Sequence, residues 1–183
     1  MKLLILYGTA EGQTRKIAHF METLLHNAGH QVTIADTTAD PPSPKEYDAV
    51  LIGSSVHMHK YQSAVNHYIK KHVDELNLMP GAFFSVSLAA ASEIEEEHLE
   101  VQKITNDFLE QTGWKPIMTT QIAGALKYTE YDYFKRLLMK MISKKEGGAT
   151  DTSQDYEYTD WDEVIKFSNE FAKKVSQKLV SQV

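Results

Sequence analysis

The sequence predicts an α/β domain in which a five-stranded parallel sheet carries helices on both faces. Two observations lead to this fold class. Short apolar segments alternate with amphipathic helical patterns along the chain, and such alternation produces a parallel sheet because crossover connections are right-handed. The 183 residues are 42% hydrophobic, enough to fill one sizeable core. We expect a single domain over residues 1–183, the strand order 2-1-3-4-5, and a ligand at the carboxyl ends of strands 1 and 3.

The first half of the chain contains three predicted strands and two predicted helices. Residues 2–7 and 49–54 are continuous apolar runs, typical of strands buried on both faces, and residues 31–35 form the strand between them. A helix beginning at Gln13 is indicated by apolar residues with a helical period. Ser63 is predicted to cap the next helix. The apolar side of that helix consists of Val65, Tyr68, Ile69, Val73 and Leu76.

The second half contains two more strands and two more helices. Residues 82–89 and 117–126 are predicted as the fourth and fifth strands. The helix between them has an apolar stripe made of Val101, Ile104, Phe108 and Leu109. Thr159 and Asp162 form a capping-box pattern that opens the last helix. The inward-facing residues of that helix are predicted to be Val164, Phe167, Phe171 and Val175.

Residues 127–158 form an insert before the last helix, and a connection of this length usually has a function or is disordered. From residue 127 to 146 there are six basic and three acidic residues, and the apolar residues lie on one side of a predicted helix. A basic amphipathic helix can lie on an anionic membrane or pair with an anionic substrate. Tyr128 and Tyr131 can stack on a planar substrate or pack the insert onto the domain. The candidate contacts are Tyr128, Tyr131, Lys135, Arg136, Lys140 and Lys144.

Composition excludes several classes of function. The formal net charge of −6 argues against a nucleic-acid partner, which would favour a basic protein. The sequence has no cysteine, which removes disulfides, thiolate catalysis and iron–sulfur ligation. Neither a membrane-spanning segment nor a cleavable leader is evident, so we expect a cytoplasmic location.

Residues 8–14, Gly-Thr-Ala-Glu-Gly-Gln-Thr, follow the first strand and lead directly into a helix. Two hydroxyls, small residues and the free N–H groups of a helix start make a cradle for a phosphate. The loop has neither the lysine of a nucleoside triphosphatase nor the three glycines of a dinucleotide site. A phosphate monoester is therefore the predicted ligand.

Thr9-x-x-Gly12-x-Thr14 after an apolar strand resembles the FMN-phosphate loop of the flavodoxins, and residues 47–53 resemble their third strand. This resemblance implies a flavodoxin-like fold and FMN as the cofactor. Flavodoxins commonly have threonine where this chain has Glu11, so we expect the loop to act through its backbone there. The residues that the resemblance assigns to the phosphate are Thr9, Ala10, Glu11, Gly12, Gln13 and Thr14.

Two further loops, residues 54–61 and 87–90, leave carboxyl ends of strands on the same side of the sheet, and in flavodoxins such loops bracket the flavin ring. The predicted ring contacts are Ser54, Ser55, Val56, His57, Ser87, Leu88, Ala89 and Ala90. His57 and His59 can contact the flavin edge or the substrate, or can be exposed loop residues, but they do not make a convincing metal pair. No side chain is assigned as catalytic, because the flavin carries the chemistry.

A narrower resemblance covers nearly the whole chain. Residues 11–15, 124–128, 147–152 and 158–161 are similar to the bacterial quinone-dependent protoporphyrinogen IX dehydrogenases. This implies oxidation of protoporphyrinogen IX to protoporphyrin IX in haem biosynthesis, with menaquinone or ubiquinone as acceptor and peripheral contact with the inner face of the cell membrane. The chain departs from the family at residues 93–100, which are acidic where the family tends to be basic.

Two other classes of function compete with this enzyme. A flavodoxin-type electron carrier would dock to redox proteins through an acidic face, such as residues 93–100, but it would gain nothing from a basic apolar helix. A flavin-free signalling receiver would need an acidic pocket at the ends of strands 1 and 3, where the chain has Tyr7-Gly8 and Gly53-Ser54.

Overall fold

The computed structural model describes residues 1–126 and 156–181. Its first six strands are β1 Lys2–Gly8, β2 Gln31–Asp36, β3 Ala49–His57, β4 Lys60–Tyr61, β5 Gly81–Ser87 and β6 Met118–Ala123. Five of them form a parallel sheet in the order β2-β1-β3-β5-β6, which confirms the predicted order 2-1-3-4-5 and the flavodoxin-like fold. The short strand β4 pairs antiparallel with the end of β3.

Helices cover both faces of the sheet. They are α1 Gln13–Asn27, α2 Ser63–Lys71, α3 Val73–Leu78, α4 Glu95–Thr112 and α5 Trp161–Val180. Side chains alternate along β1, so Leu3 and Ile5 pack with α1 and α5 while Leu4 and Leu6 pack with α2, α3 and α4. The two cores lie on opposite faces of the sheet, and all four β1 side chains are fully buried. The sheet is thereby fixed in register, with the carboxyl ends of its strands along one edge.

Several predicted element boundaries were wrong. The second predicted helix is two helices, separated at His72, and Ser63 is its first helical residue rather than its cap, which is Gln62. The strand predicted over residues 82–89 ends at Ser87. The loop predicted over residues 54–61 is the end of β3 followed by a two-residue turn and β4.

The strand predicted over residues 117–126 ends at Ala123, and a separate strand, β7 (Ala125–Leu126), pairs antiparallel with β8 (Tyr156–Glu157). The last helix is capped by Asp160, whose carboxylate accepts from the N–H groups of Asp162 and Glu163. Thr159, the predicted cap, instead donates its hydroxyl to the carbonyl of Ala123.

The β7–β8 pair closes the base of the insert, but residues 127–155 lie outside the described part of the chain. The predicted amphipathic helix lies there, together with the candidate contacts Tyr128, Tyr131, Lys135, Arg136, Lys140 and Lys144. Within residues 1–126 and 156–181, no helix combines the length and the hydropathy needed to cross a bilayer.

Candidate functional site

A cleft opens at the carboxyl edge of the sheet, where the loops after β1, β3, β5 and β6 meet. It brings together ten of the predicted site residues, namely Thr9, Ala10, Glu11, Gln13, Thr14, Ser55, Val56, His57, Ser87 and Leu88. Its lining also includes Val86, Gly124 and Ala125, which were not predicted as site residues. Gly124 and Ala125 were missed because the fifth strand was expected to run through them, although they belong to the segment that resembles the dehydrogenases.

The loop after β1 is shaped by Gly12, whose φ of 93° is in the left-handed region that favours glycine. Its N–H donates to Thr9 Oγ1 at 2.8 Å, which closes a tight turn, and its carbonyl accepts from Lys16 N at 3.1 Å. The helix α1 therefore starts at Gln13 without a side-chain cap. The first N–H groups of α1 have no carbonyl partner within the helix, so they are free to bind an anion.

The surroundings of Thr14 give the strongest evidence on whether this loop fits a phosphate. The residue is fully buried in the first turn of α1 and belongs to the lining of the cleft. Its Oγ1 has no hydrogen-bond partner within the structure described for residues 1–126 and 156–181. A buried hydroxyl without a partner is unfavourable unless a ligand supplies one. A phosphate oxygen, which accepts hydrogen bonds, would supply it, so the residues present fit the phosphate end of FMN.

A second wall of the cleft comes from the end of β3. The hydroxyl of Ser55 accepts from Ala10 N at 3.2 Å and from Gln62 Nε2 at 3.1 Å, so it connects the loop after β1 to the start of α2. Ser54 does not line the cleft. It is fully buried, and its Oγ accepts from the backbone N–H of Gln62 at 3.2 Å. Of the two adjacent serines, only Ser55 therefore lines the cleft.

A third wall comes from the end of β5. Ser87 and Leu88 line the cleft, and Ser87 Oγ accepts from Ala90 N at 3.2 Å at the start of a short 3₁₀ turn, Ala89–Ala91. Ala89 and Ala90 are half-buried but are not among the lining residues. Their part is to shape the turn that presents Leu88.

The two histidines of the hairpin have different surroundings. His57 lines the cleft at the end of β3. His59 lies on the turn, where its Nδ1 is 3.2 Å from Glu100 Oε1 on α4, and both side chains are more than half exposed. The described residues contain no group of three histidine, aspartate or glutamate side chains placed to hold a metal ion.

The fourth wall of the cleft is formed by Gly124 and Ala125, after β6. Thr159 connects this end of β6 to the loop after β1, which we call the phosphate-type loop (residues 8–14). The amide of Gln13 donates to Thr159 Oγ1 at 2.9 Å, and Thr159 in turn donates to the carbonyl of Ala123 at 2.7 Å. Trp161 packs its ring on Phe20 at 4.7 Å between centroids and remains partly exposed. These contacts hold the exit of the insert beside the first turn of α1.

Comparison with known proteins agrees with this geometry. A sequence model of the flavodoxin domain matches residues 4–153. Protoporphyrinogen IX dehydrogenase [quinone] of Escherichia coli K12 is 39% identical over 173 residues, covering 94% of this chain and 95% of that protein. The protein of the same name from Leishmania major is 34% identical over 176 residues, covering 93% of this chain and 74% of its own length.

A solved flavodoxin shows the fold alone. Oxidised flavodoxin 1 from Bacillus cereus superimposes with a TM-score of 0.58 at 14% identity, covering 94% of this chain and 98% of its own. The likeness extends over nearly the whole of both chains.

Proposed function

The chain belongs to the flavodoxin-domain family, among relatives named protoporphyrinogen IX dehydrogenase [quinone], and it is an oxidoreductase; on this premise we propose that it oxidises protoporphyrinogen IX to protoporphyrin IX, with FMN as cofactor and a respiratory quinone as electron acceptor. The observation that carries this proposal is the 39% identity to the Escherichia coli enzyme over 94% of the chain. The matched region exceeds the flavodoxin domain itself. The reaction would belong to haem biosynthesis, and the acceptor would be menaquinone or ubiquinone.

The geometry of the cleft supports FMN as the cofactor. The phosphate would bind the first turn of α1, where Thr14 Oγ1 is buried without a partner in the described structure and where Gly12 adopts the positive φ that shapes the loop. The ring would lie between the ends of β3 and β5, bracketed by His57 and Leu88. Bound FMN would supply acceptance and transfer of reducing equivalents, and the chain's own residues would bind and orient the cofactor.

Arg15 places a positive charge beside the loop that would bind the phosphate. The loop also carries Glu11, whose carboxylate would repel a phosphate if it faced the ligand. A side-chain carbon added to Gly12 would lie 3.9 Å from a guanidinium nitrogen of Arg15, so a cation lies beside the loop. Arg15 would thus offset the charge of Glu11.

We also propose that the protein is cytoplasmic and contacts the inner face of the membrane through residues 127–158. The support is the sequence of that segment, because basic residues near an anionic surface contribute roughly 1 kcal/mol each. Changing Lys135, Arg136, Lys140 and Lys144 together to Gln should reduce sedimentation with vesicles containing anionic lipid and leave FMN bound. Equal sedimentation of parent and variant at low and moderate salt would contradict the membrane role.

The reaction is tested by mixing FMN-loaded protein anaerobically with protoporphyrinogen IX while the flavin absorbance is followed. We expect the oxidised flavin band to bleach and added quinone to restore it. The competing function is an electron carrier, which the exposed acidic residues Glu93, Glu95 and Glu96 would suit. A flavin that stays oxidised with protoporphyrinogen IX but is reduced rapidly by a flavodoxin reductase would support the carrier instead.

A further inference from the structure

The turn between β3 and β4 has an unusual backbone, and it lies at the rim of the cleft in the sense that it directly follows His57, which lines the cleft. β3 ends at His57 and β4 begins at Lys60, so the turn consists of Met58 and His59. Their φ angles are 48° and 61°, in the left-handed region that a two-residue hairpin turn of this kind requires. Asparagine and glycine adopt that conformation readily and histidine is enriched in it, whereas methionine adopts it at a cost. Such a turn persists only where surrounding contacts hold it.

Two sets of contacts hold the ends of this hairpin. At its base, Gln62 donates its backbone N–H to Ser54 Oγ and its side-chain amide to Ser55 Oγ. At its tip, His59 is paired with Glu100 on α4. The tip contact is between exposed groups and is therefore weak. Contacts in the buried part of the hairpin must therefore hold its tip in place.

Tyr61, on β4, provides that buried contact. Its hydroxyl lies 2.9 Å from Ser85 Oγ on β5 and 2.7 Å from Thr105 Oγ1 on α4, and Thr105 also accepts from Gln121 Nε2 on β6 at 2.7 Å. Ser85 and Thr105 are fully buried. Burial raises the pKa of Tyr61, so the hydroxyl stays protonated. The Tyr61 hydroxyl therefore connects the hairpin to β5 and α4 directly, and to β6 through Thr105.

The hydrogen bonds that join Tyr61, Ser85, Thr105 and Gln121 form a polar network inside an apolar core. Polar groups at such a place indicate a role beyond stability. The Tyr61 ring packs against Phe83 at 5.1 Å and Phe108 at 4.6 Å between centroids. Polar groups in such a core are costly unless they are fully paired, and an apolar core would serve stability equally well. What the network adds is a fixed placement of the hairpin relative to β5, whose end forms the opposite wall of the cleft.

We infer that Tyr61 is a positioning residue, which through Ser85 and Thr105 holds the Met58–His59 turn at the rim of the cleft and so sets the affinity for the ring end of the flavin. The inference rests on the function proposed above. The turn is three residues beyond Ser55, which contacts the phosphate-type loop, and three residues of strand span about 10 Å. The turn is thus placed for the ring and not for the phosphate.

The test compares Tyr61→Phe with Tyr68→Phe in the full chain. Tyr68 is also buried and, like Tyr61, lies outside the cleft lining, but its hydroxyl donates to the Pro42 carbonyl at 2.7 Å, a bond that does not involve the hairpin. Dissociation constants for FMN and riboflavin are measured by flavin fluorescence quenching, and apoprotein stability by thermal unfolding. We expect both substitutions to lower the stability of the apoprotein, with the larger loss for Tyr61→Phe because the Tyr61 hydroxyl has two partners. Only Tyr61→Phe should weaken the binding of FMN and of riboflavin. Both dissociation constants should rise by the same factor of roughly 2 to 10, which corresponds to the free energy of about one neutral hydrogen bond.

A second pair of variants keeps the inference testable if Tyr61→Phe does not fold. Thr105 lies on α4 outside the cleft lining, so Thr105→Val should reproduce the weaker flavin binding and Thr105→Ser, which keeps the hydroxyl, should restore it. Flavin affinities in Tyr61→Phe equal to those in Tyr68→Phe, or no difference between the Thr105 variants, would overturn the inference and leave the proposed function standing. Failure of the parent to bind either flavin would contradict the proposed function itself.

Discussion

At the scale of single residues, Thr14 has the most direct connection to the cofactor. Its hydroxyl is fully buried and has no partner in the described structure. Leaving such a group unpaired costs about 1–3 kcal/mol, whereas a hydrogen bond to a charged acceptor contributes about 1.5–3 kcal/mol. The unpaired Thr14 hydroxyl thus lowers the stability of the apoprotein, and its hydrogen bond to a phosphate would stabilise the complex. That contrast can be measured.

Replacing Thr14 by valine, which has nearly the same shape, should raise or preserve apoprotein stability and weaken FMN binding. The expected loss is about 10- to 150-fold in the dissociation constant, from one hydrogen bond to a charged group. Riboflavin lacks the phosphate, so its affinity should not change. Titrations of both flavins against the parent and Thr14→Val measure the difference. Equal losses for FMN and riboflavin would mean that Thr14 does not bind the phosphate.

The loop after β1 was predictable from sequence because its glycine and threonines follow directly from a strand and precede a helix. The roles of Ser54 and Ser55 were not, because both serines come near the end of a predicted strand, and which of them lines the cleft depends on where that strand ends. The prediction ended β3 at Ser54, whereas the strand continues to His57. The same uncertainty at the end of β6 hid Gly124.

At the scale of elements, the connection between α1 and the exit of the insert is made by few groups. Thr159 is nearly buried and bonds both the Gln13 amide and the Ala123 carbonyl. An ion pair between Lys16 and Glu157 adds a second link, and Trp161 Nε1 donates to Glu157 Oε1 at 2.9 Å. The β7–β8 pair is therefore held beside the cleft.

Thr159→Val should lower the free energy of unfolding by about 1–3 kcal/mol, because the substitution leaves two polar groups without their partner. Thr159→Ser, which retains the hydroxyl, should recover most of that loss. Asp160→Ala should cost about 1 kcal/mol through the lost helix cap. Urea denaturation of the three variants gives these values. A neutral Asp160→Ala would favour Thr159 as the cap, as the capping-box pattern had indicated.

Sequence patterns identified the five parallel strands and most of the helices, because buried strands and amphipathic helices have distinct periods. The β3–β4 hairpin was missed because Met58-His59 contains neither the asparagine nor the glycine that marks a two-residue turn. The break between α2 and α3 was missed because the apolar stripe continues past His72 to Leu76. In each case tertiary contacts decided a conformation that local sequence does not encode.

At the scale of the whole molecule, four chain segments that are far apart in sequence form one cleft. They meet because parallel strands bring their carboxyl ends to one edge, and they are joined there by contacts such as that between Ala10 and Ser55. The opposite edge has a different character. There Asn77 holds the backbone of Gly113 and Lys115, and Leu78 is 83% exposed. A ligand of the proposed kind should therefore affect one edge of the sheet only.

The most direct measurement is an amide NMR titration of the apoprotein with FMN, because it reports on every loop at once. We predict large chemical-shift changes at four separate places in the sequence, namely the amides of Ala10, Ser55, Leu88 and Ala125. The amides of Asn77 and Lys115, at the opposite edge, should not shift. Shifts at Asn77 and Lys115 without shifts in the four loops, or no shifts at saturating FMN, would contradict the assignment of the cleft as the flavin site.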